Sequence, residues 1–222
     1  MLKHVRDFFF ILSLGLFSAC SSVHHSTEQD AQLTKTSLIN TQLGMAYLQN
    51  NNMQRAKQKF LLALDQAPHS PEAWYSMGYF QEVTGNSVLA NEDYLKAIQL
   101  APISGDVHNN YGTFLCRRGQ YRNGIQHFLL AINDPRYLQS ASAYENAGLC
   151  ALKIPDTHDA ANFFDHALKQ DPNMPVSLFE LAKLNYQFGK YKDAKSQLNQ
   201  FLLISRATPQ SEFFKNQLEK KV

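Results

Sequence analysis

GYFQEVTGNSVLANEDYLKAIQLAP, residues 78 to 102, holds the pattern that decides the fold. Counting from Gly78, Ala90 stands 12 residues on, Tyr94 16 on, Ala97 19 on and Pro102 24 on. Small residues at such positions let two antiparallel helices approach closely, and a large apolar residue fills the gap left beside them. Proline lacks the amide donor, so Pro102 ends the second helix. Gly85 falls between the helices, where a positive backbone angle is easiest for glycine.

Outward from this stretch the same register recurs. Gly44, Gly78, Gly112, Gly148 and Ala182 follow one another at steps of 34, 34, 36 and 34. Twelve after each stand Ala56, Ala90, Gly124, Ala160 and Ala194, and sixteen after each stand Phe60, Tyr94, Phe128, Phe164 and Leu198. Pro68, Pro102 and Pro172 close three of the units. That is the tetratricopeptide period, in which each helix pair buries its apolar face only by stacking on its neighbours. The expected fold is all-α, a right-handed superhelix of antiparallel helix pairs. Its five full repeats are read at 37–70, 71–104, 105–140, 141–174 and 175–208. Asn51, Gly85, Gly119 and Gly189 mark turns within units, and Pro155 makes the fourth turn different. DPRYLQS, residues 134 to 140, predicts a longer connection after the third unit. Residues 209–222 predict a capping helix or the first helix of an incomplete sixth repeat, with Phe213, Phe214 and Leu218 inward.

Stacked first helices build a concave groove, and the repeat register assigns side chains to it. The first unit contributes Thr41, Met45 and Gln49, and the second Tyr75, Tyr79 and Glu82. The third supplies Asn109, Thr113 and Arg117, the fourth Glu145, Leu149 and Lys153, and the fifth Phe179, Lys183 and Tyr186. Aromatic and Met side chains beside polar ones suit a protein or peptide ligand, with aromatic area for anchoring and polar groups for register. Cys116 and Cys150 fall on adjacent first helices, whose packing distance permits a disulfide, although two packed thiols fit the same positions.

The N-terminus reads separately. Lys3, His4 and Arg6 precede the apolar run of FFFILSLGLFSACSS, residues 8 to 22, which ends in Ser18, Ala19 and Cys20. The run is shorter than the roughly 20 residues a membrane-spanning helix needs, so residues 1–19 read as a signal peptide. Ser-Ala-Cys resembles the bacterial lipobox, with Phe17 at the usual leucine position. That resemblance implies cleavage before Cys20, acylation of Cys20, and outer-membrane sorting because Ser21 follows. Residues 20–36 are polar and predict the lipidated cysteine and a flexible tether.

The whole chain carries 21 basic and 19 acidic residues. Loss of residues 1–19 removes Lys3, Arg6 and Asp7, leaving 19 against 18 over 203 residues. So neutral a balance makes no electrostatic case for nucleic acid. No nucleophile motif, phosphate loop or HExxH is present, and the histidines are scattered, so neither an enzyme, a cofactor, a metal site nor a small-molecule substrate is expected. His24 and His25 lack fixed geometry, and His158 and His166 are spaced too widely for chelation on one helical face.

NNYGTFLCRRGQYRNGIQHF, residues 109 to 128, YENAGLCAL, residues 144 to 152, and FELAKLNYQFGKY, residues 179 to 191, resemble the type IV pilus biogenesis lipoproteins of the PilF/PilW or pilotin family. The resemblance runs over essentially the whole chain. It implies a non-catalytic lipoprotein on the periplasmic side of the outer membrane, whose partner is the pilus secretin and which promotes secretin localisation and multimer assembly. The alternative is a general envelope adaptor of tetratricopeptide type that recruits peptidoglycan enzymes or other periplasmic proteins.

Overall fold

The structure is a computed structural model and describes residues 19–155 and 157–221. Of the expected signal segment, residues 1–19, all but Ala19 lie outside these. Among the described residues there are helices and no strands. The first pair is α1 (Ala19–Gln49) and α2 (Met53–Gln66), followed by α3 (Pro71–Val83) with α4 (Ser87–Leu100). Next come α5 (Gly105–Arg117) with α6 (Tyr121–Ile132), α7 (Ser140–Ala151) with α8 (His158–Gln170), and α9 (Pro175–Gln187) with α10 (Tyr191–Ile204). A last helix, α11 (Pro209–Glu219), follows alone. Each pair packs against the next, and the first helices α1, α3, α5, α7 and α9 also touch in sequence.

Local chemistry sets the boundaries. Ser70 and Ser104 cap α3 and α5, their hydroxyls accepting from Ala73 N and Val107 N, and Pro71, Pro175 and Pro209 sit in first helical turns where a missing amide costs nothing. Asn51, Gly85, Gly119 and Gly189 all have positive φ at the turns within units. Most connections between units are four residues, but residues 133–139 make seven. There Asp134 accepts from Gly105 N at 3.0 Å, and the buried Tyr137 ring lies where a side chain on Gly105 would stand. Two backbone amides, those of Gly105 and Arg136, together with the Arg136 side chain, hold the Asp134 carboxyl down at about 2. The extra residues therefore form a brace on the start of α5.

The core runs between the two helix layers through fully buried Phe60, Tyr94, Phe128, Phe164 and Leu198. Helix α5 approaches α6 closely: a Cβ on Gly112 would meet Gly124 O at 2.9 Å, a backbone atom that cannot swing aside. Cys116 and Cys150 are joined in a disulfide across α5 and α7, with Cα atoms 5.8 Å apart.

Two expectations need correction. Residues 20–36 are not a loose tether but continue α1 as helix from Ala19. No Gly or Pro interrupts the chain from Ala19 to Leu43, and the Thr34 and Thr36 hydroxyls satisfy themselves on Asp30 O and Gln32 O within the helix. Ser37 donates to Ala63 O and Asn40 to Gln66 Oε1, so residues 37–40 lie level with the last turn of α2. The preceding 18 residues run beyond it for about 27 Å at 1.5 Å per residue. In α11, Phe214 and Leu218 face inward, but Phe213 is 64% exposed. A helix packed on one side only, against α9 and α10, buries one of two consecutive aromatics.

Candidate functional site

On the first-helix side, α1, α3, α4 and α5 enclose a cavity of about 210 Å³ lined by Met45, Tyr75, Ser76, Tyr79, Tyr94, Asn110, Thr113 and Arg117. Arg117 Nη1 donates to Glu82 Oε2 at 3.1 Å, and its guanidinium carbon lies 5.7 Å from the Tyr79 ring centre. This ties α3 to α5 along the rim. Burial pushes the Tyr75 phenol well up, with Glu72 and Asp106 adding to it, and burial likewise raises Tyr94. Both therefore stay protonated and offer neutral hydroxyls at neutral pH. The cavity matches one large apolar side chain in size, with hydroxyls and an ion pair at its edge.

The other expected groove residues do different things. Thr41 is buried. Asn109 accepts from Asn146 Nδ2 at 3.0 Å, linking α5 to α7, and the Thr113 hydroxyl donates to its own helix at Asn109 O. Glu145 Oε2 accepts from Ser177 N at 3.0 Å and from Ser177 Oγ at 2.8 Å, linking α7 to α9. Lys153 lies past the end of α7 in a separate cleft with Gly119, Tyr121 and Pro155. Lys183 pairs with Glu180 at 2.8 Å and sits over Phe179, a ring that itself packs into the core at α10 and α11. Ser76, Tyr94 and Asn110 were not among the expected groove residues; Tyr94 is a core residue by register, and only its edge reaches the cavity.

Among the described residues no three His, Cys, Asp or Glu side chains form a metal-sized cluster, and no helix is long and apolar enough to cross a membrane.

Comparisons with known proteins agree with the repeat fold. Residues 41–106 and 156–210 match family models described as tetratricopeptide repeat. An uncharacterized protein of Haemophilus influenzae is 34% identical over 146 residues, 64% of this chain and 75% of its own. The type IV pilus assembly protein PilF of Pseudomonas aeruginosa is 29% identical over 195 residues, 86% of this chain and 77% of its own. Its solved structure superposes with a TM-score of 0.79 at 28% identity over 85% of each chain. That of PilW, a widely conserved type IV pilus biogenesis factor, superposes at 0.72 and 25% identity, over 83% of this chain and 85% of PilW.

The chain belongs to the PilF/PilW-like tetratricopeptide repeat proteins.

Within this PilF/PilW-like stack, a histidine pair in the third repeat went unread in the sequence. His108 Nδ1 and His127 Nδ1 are 2.9 Å apart, and His108 Nε2 lies 2.9 Å from Pro102 O. One repeat earlier, Trp74 Nε1 donates to Pro68 O at 2.8 Å. An indole nitrogen only donates and a carbonyl only accepts, so the equivalent His108 Nε2 carries a proton. With both rings neutral, His108 Nδ1 then accepts from His127 Nδ1–H. Only one proton fits between the rings. Burial, and His108 after it, press His127 down to about 4 from its ordinary 6.5.

His127 therefore contributes stability that is full above about 6.5, where the unfolded side chain is also neutral, and is lost as pH falls through about 4. Asp93, raised to about 6 by burial and by Glu92, acts in the opposite direction, its contribution being lost as pH rises through about 6. The difference between wild type and His127→Phe isolates the histidine, and Phe163 already fills the equivalent position of the next repeat. Denaturant midpoints measured against pH should show wild type losing ground to the variant only on acidification below about 6.5. Parallel curves would contradict the pair's assignment.

Proposed function

We propose that this protein is a non-catalytic lipoprotein of type IV pilus biogenesis. It is anchored to the outer membrane through Cys20, faces the periplasm, and binds the pilus secretin to promote its outer-membrane localisation and multimer assembly. The similarity to PilF over 86% of this chain carries the reading. The lipobox resemblance at Cys20 and the aromatic cavity of the first three repeats support it. The cavity takes an apolar anchor of the partner between Met45, Tyr75 and Tyr79, and the Arg117–Glu82 pair sets its register.

A deletion strain complemented with variants tests this by immunoblot of heat-stable secretin multimers. Cys20→Ala is expected to leave secretin largely unassembled, because a body without its anchor is no longer delivered to the outer membrane. Tyr79→Ala removes an aromatic anchor for which about 2 kcal/mol or more of binding is typical. Arg117→Glu places like charges side by side at the rim, yet folding should change by no more than about 1 kcal/mol because the arginine is half exposed. The double variant should therefore fold normally and lose multimers. Normal multimers in the Cys20→Ala strain or in the double-variant strain would overturn the reading in favour of the envelope adaptor.

A further inference from the structure

The near-neutral net charge conceals a segregation of charge along the stack. Residues 175–222 carry eight basic side chains (Lys183, Lys190, Lys192, Lys195, Arg206, Lys215, Lys220 and Lys221) against four acidic ones (Glu180, Asp193, Glu212 and Glu219), a balance of +4. Residues 20–174 carry 11 against 14, a balance of −3. The fifth repeat and the last helix thus form a basic end on an otherwise acidic body, a distribution that steers an acidic partner toward that end.

Part of this charge converges. A cleft of about 560 Å³ is lined by Gly189, Lys190, Tyr191, Lys192, Asp193 and Lys221. It forms because α9 and α10 turn at Gly189 while α11, running the other way to α10, ends on the same edge. Three lysines against Asp193 leave the cleft at +2, and all three are exposed. None of the three makes an ion pair among the described residues, unlike Lys169 and Lys183, which pair within their own helices. The cleft stands apart from the aromatic cavity, which belongs to the first three repeats.

We infer that the Lys190, Lys192 and Lys221 cleft is a second docking site, taking a carboxylate-rich segment of a partner protein. Lysine ammonium groups with free donors pair with carboxylates without imposing one geometry, which suits a flexible acidic segment. A phospholipid surface fits less well. First helices begin on one edge of the stack and turn on the other, so α1 leaves from the edge opposite the cleft. With the chain held at Cys20, the cleft faces away from the anchoring leaflet; this orientation rests on the lipoprotein reading, whereas the charge argument does not.

The test uses the mature chain carrying Cys20→Ala, so that its result is independent of acylation, and a fluorescent oligoglutamate peptide read by anisotropy. Saturable binding should weaken as salt rises, and Lys190→Glu with Lys192→Glu should lower affinity by about tenfold or more. These substitutions put acidic residues at the start of α10, where the helix dipole favours them, so the loss is not an unfolding effect. Lys221→Glu, at the chain end and outside α10, should weaken binding in the same direction. No peptide binding, or binding unchanged in all variants, overturns the proposal. So does equal binding of an oligonucleotide of the same charge, or variant-sensitive binding only to phosphatidylglycerol vesicles. Failure of the secretin reading would show in multimer assembly and leave this assay untouched.

Discussion

Phe164→Ala is expected to remove about 3–5 kcal/mol of folding stability, the usual range for deleting a buried aromatic ring. Phe164 is fully buried in α8 and packs with Ala151, Ala160, Leu181 and Leu184, so it joins the fourth repeat to the fifth. Its ring also fills the space left by Gly148, where an added Cβ would come within 2.7 Å of it. Alanine leaves a cavity that two helix layers cannot close without moving backbone. Because each repeat is stable chiefly through its neighbours, the loss should lower the denaturant midpoint of the whole stack and expose the fifth repeat first. A change under about 1 kcal/mol would mean that this interface is not the close-packed core described.

Breaking the Cys116–Cys150 bond should cost nearly as much. The bond closes a loop with a sequence separation of 34. The chain-entropy account assigns such a loop about 3–4 kcal/mol, relative to the opened chain. It also spans the long 133–139 connection, where the regular four-residue spacing between units is broken. Cys116→Ala with Cys150→Ala should lower the melting temperature, and reductant should lower that of wild type but not of the double variant. Thiol counting on unfolded, unreduced chain lacking Cys20 should find no free thiol. Two would refute the bond.

The repeats were legible because one physical demand recurs: a small residue wherever backbones cross and a large one beside it. Gly85, Gly119, Gly189 and Asn51 were legible at their turns for a similar reason, each meeting a local backbone need that few residues can meet. What escaped was set by partners distant in the chain. Nothing around Glu145 announces that it will accept from Ser177, 32 residues away, and nothing near Gly105 announces the Tyr137 ring. The groove register placed Tyr75, Tyr79, Thr113 and Arg117 around one cavity, but it could not tell a side chain open to a ligand from one already bonded to the next helix. The helical reach of residues 19–36 was hidden by polarity, which marks the absence of a core partner but does not break a helix.

The proposed contact between the secretin and the cavity of the first three repeats is tested most directly by in-cell photocrosslinking from position 79. A photoreactive phenylalanine analogue replaces Tyr79 in the full-length protein, with a control at exposed Gln126 on a second helix. We predict an adduct from position 79 that both proteins' antibodies detect at the combined mass, and none from position 126. Normal pilus assembly with no secretin adduct from position 79, or equal adducts from both positions, would contradict it.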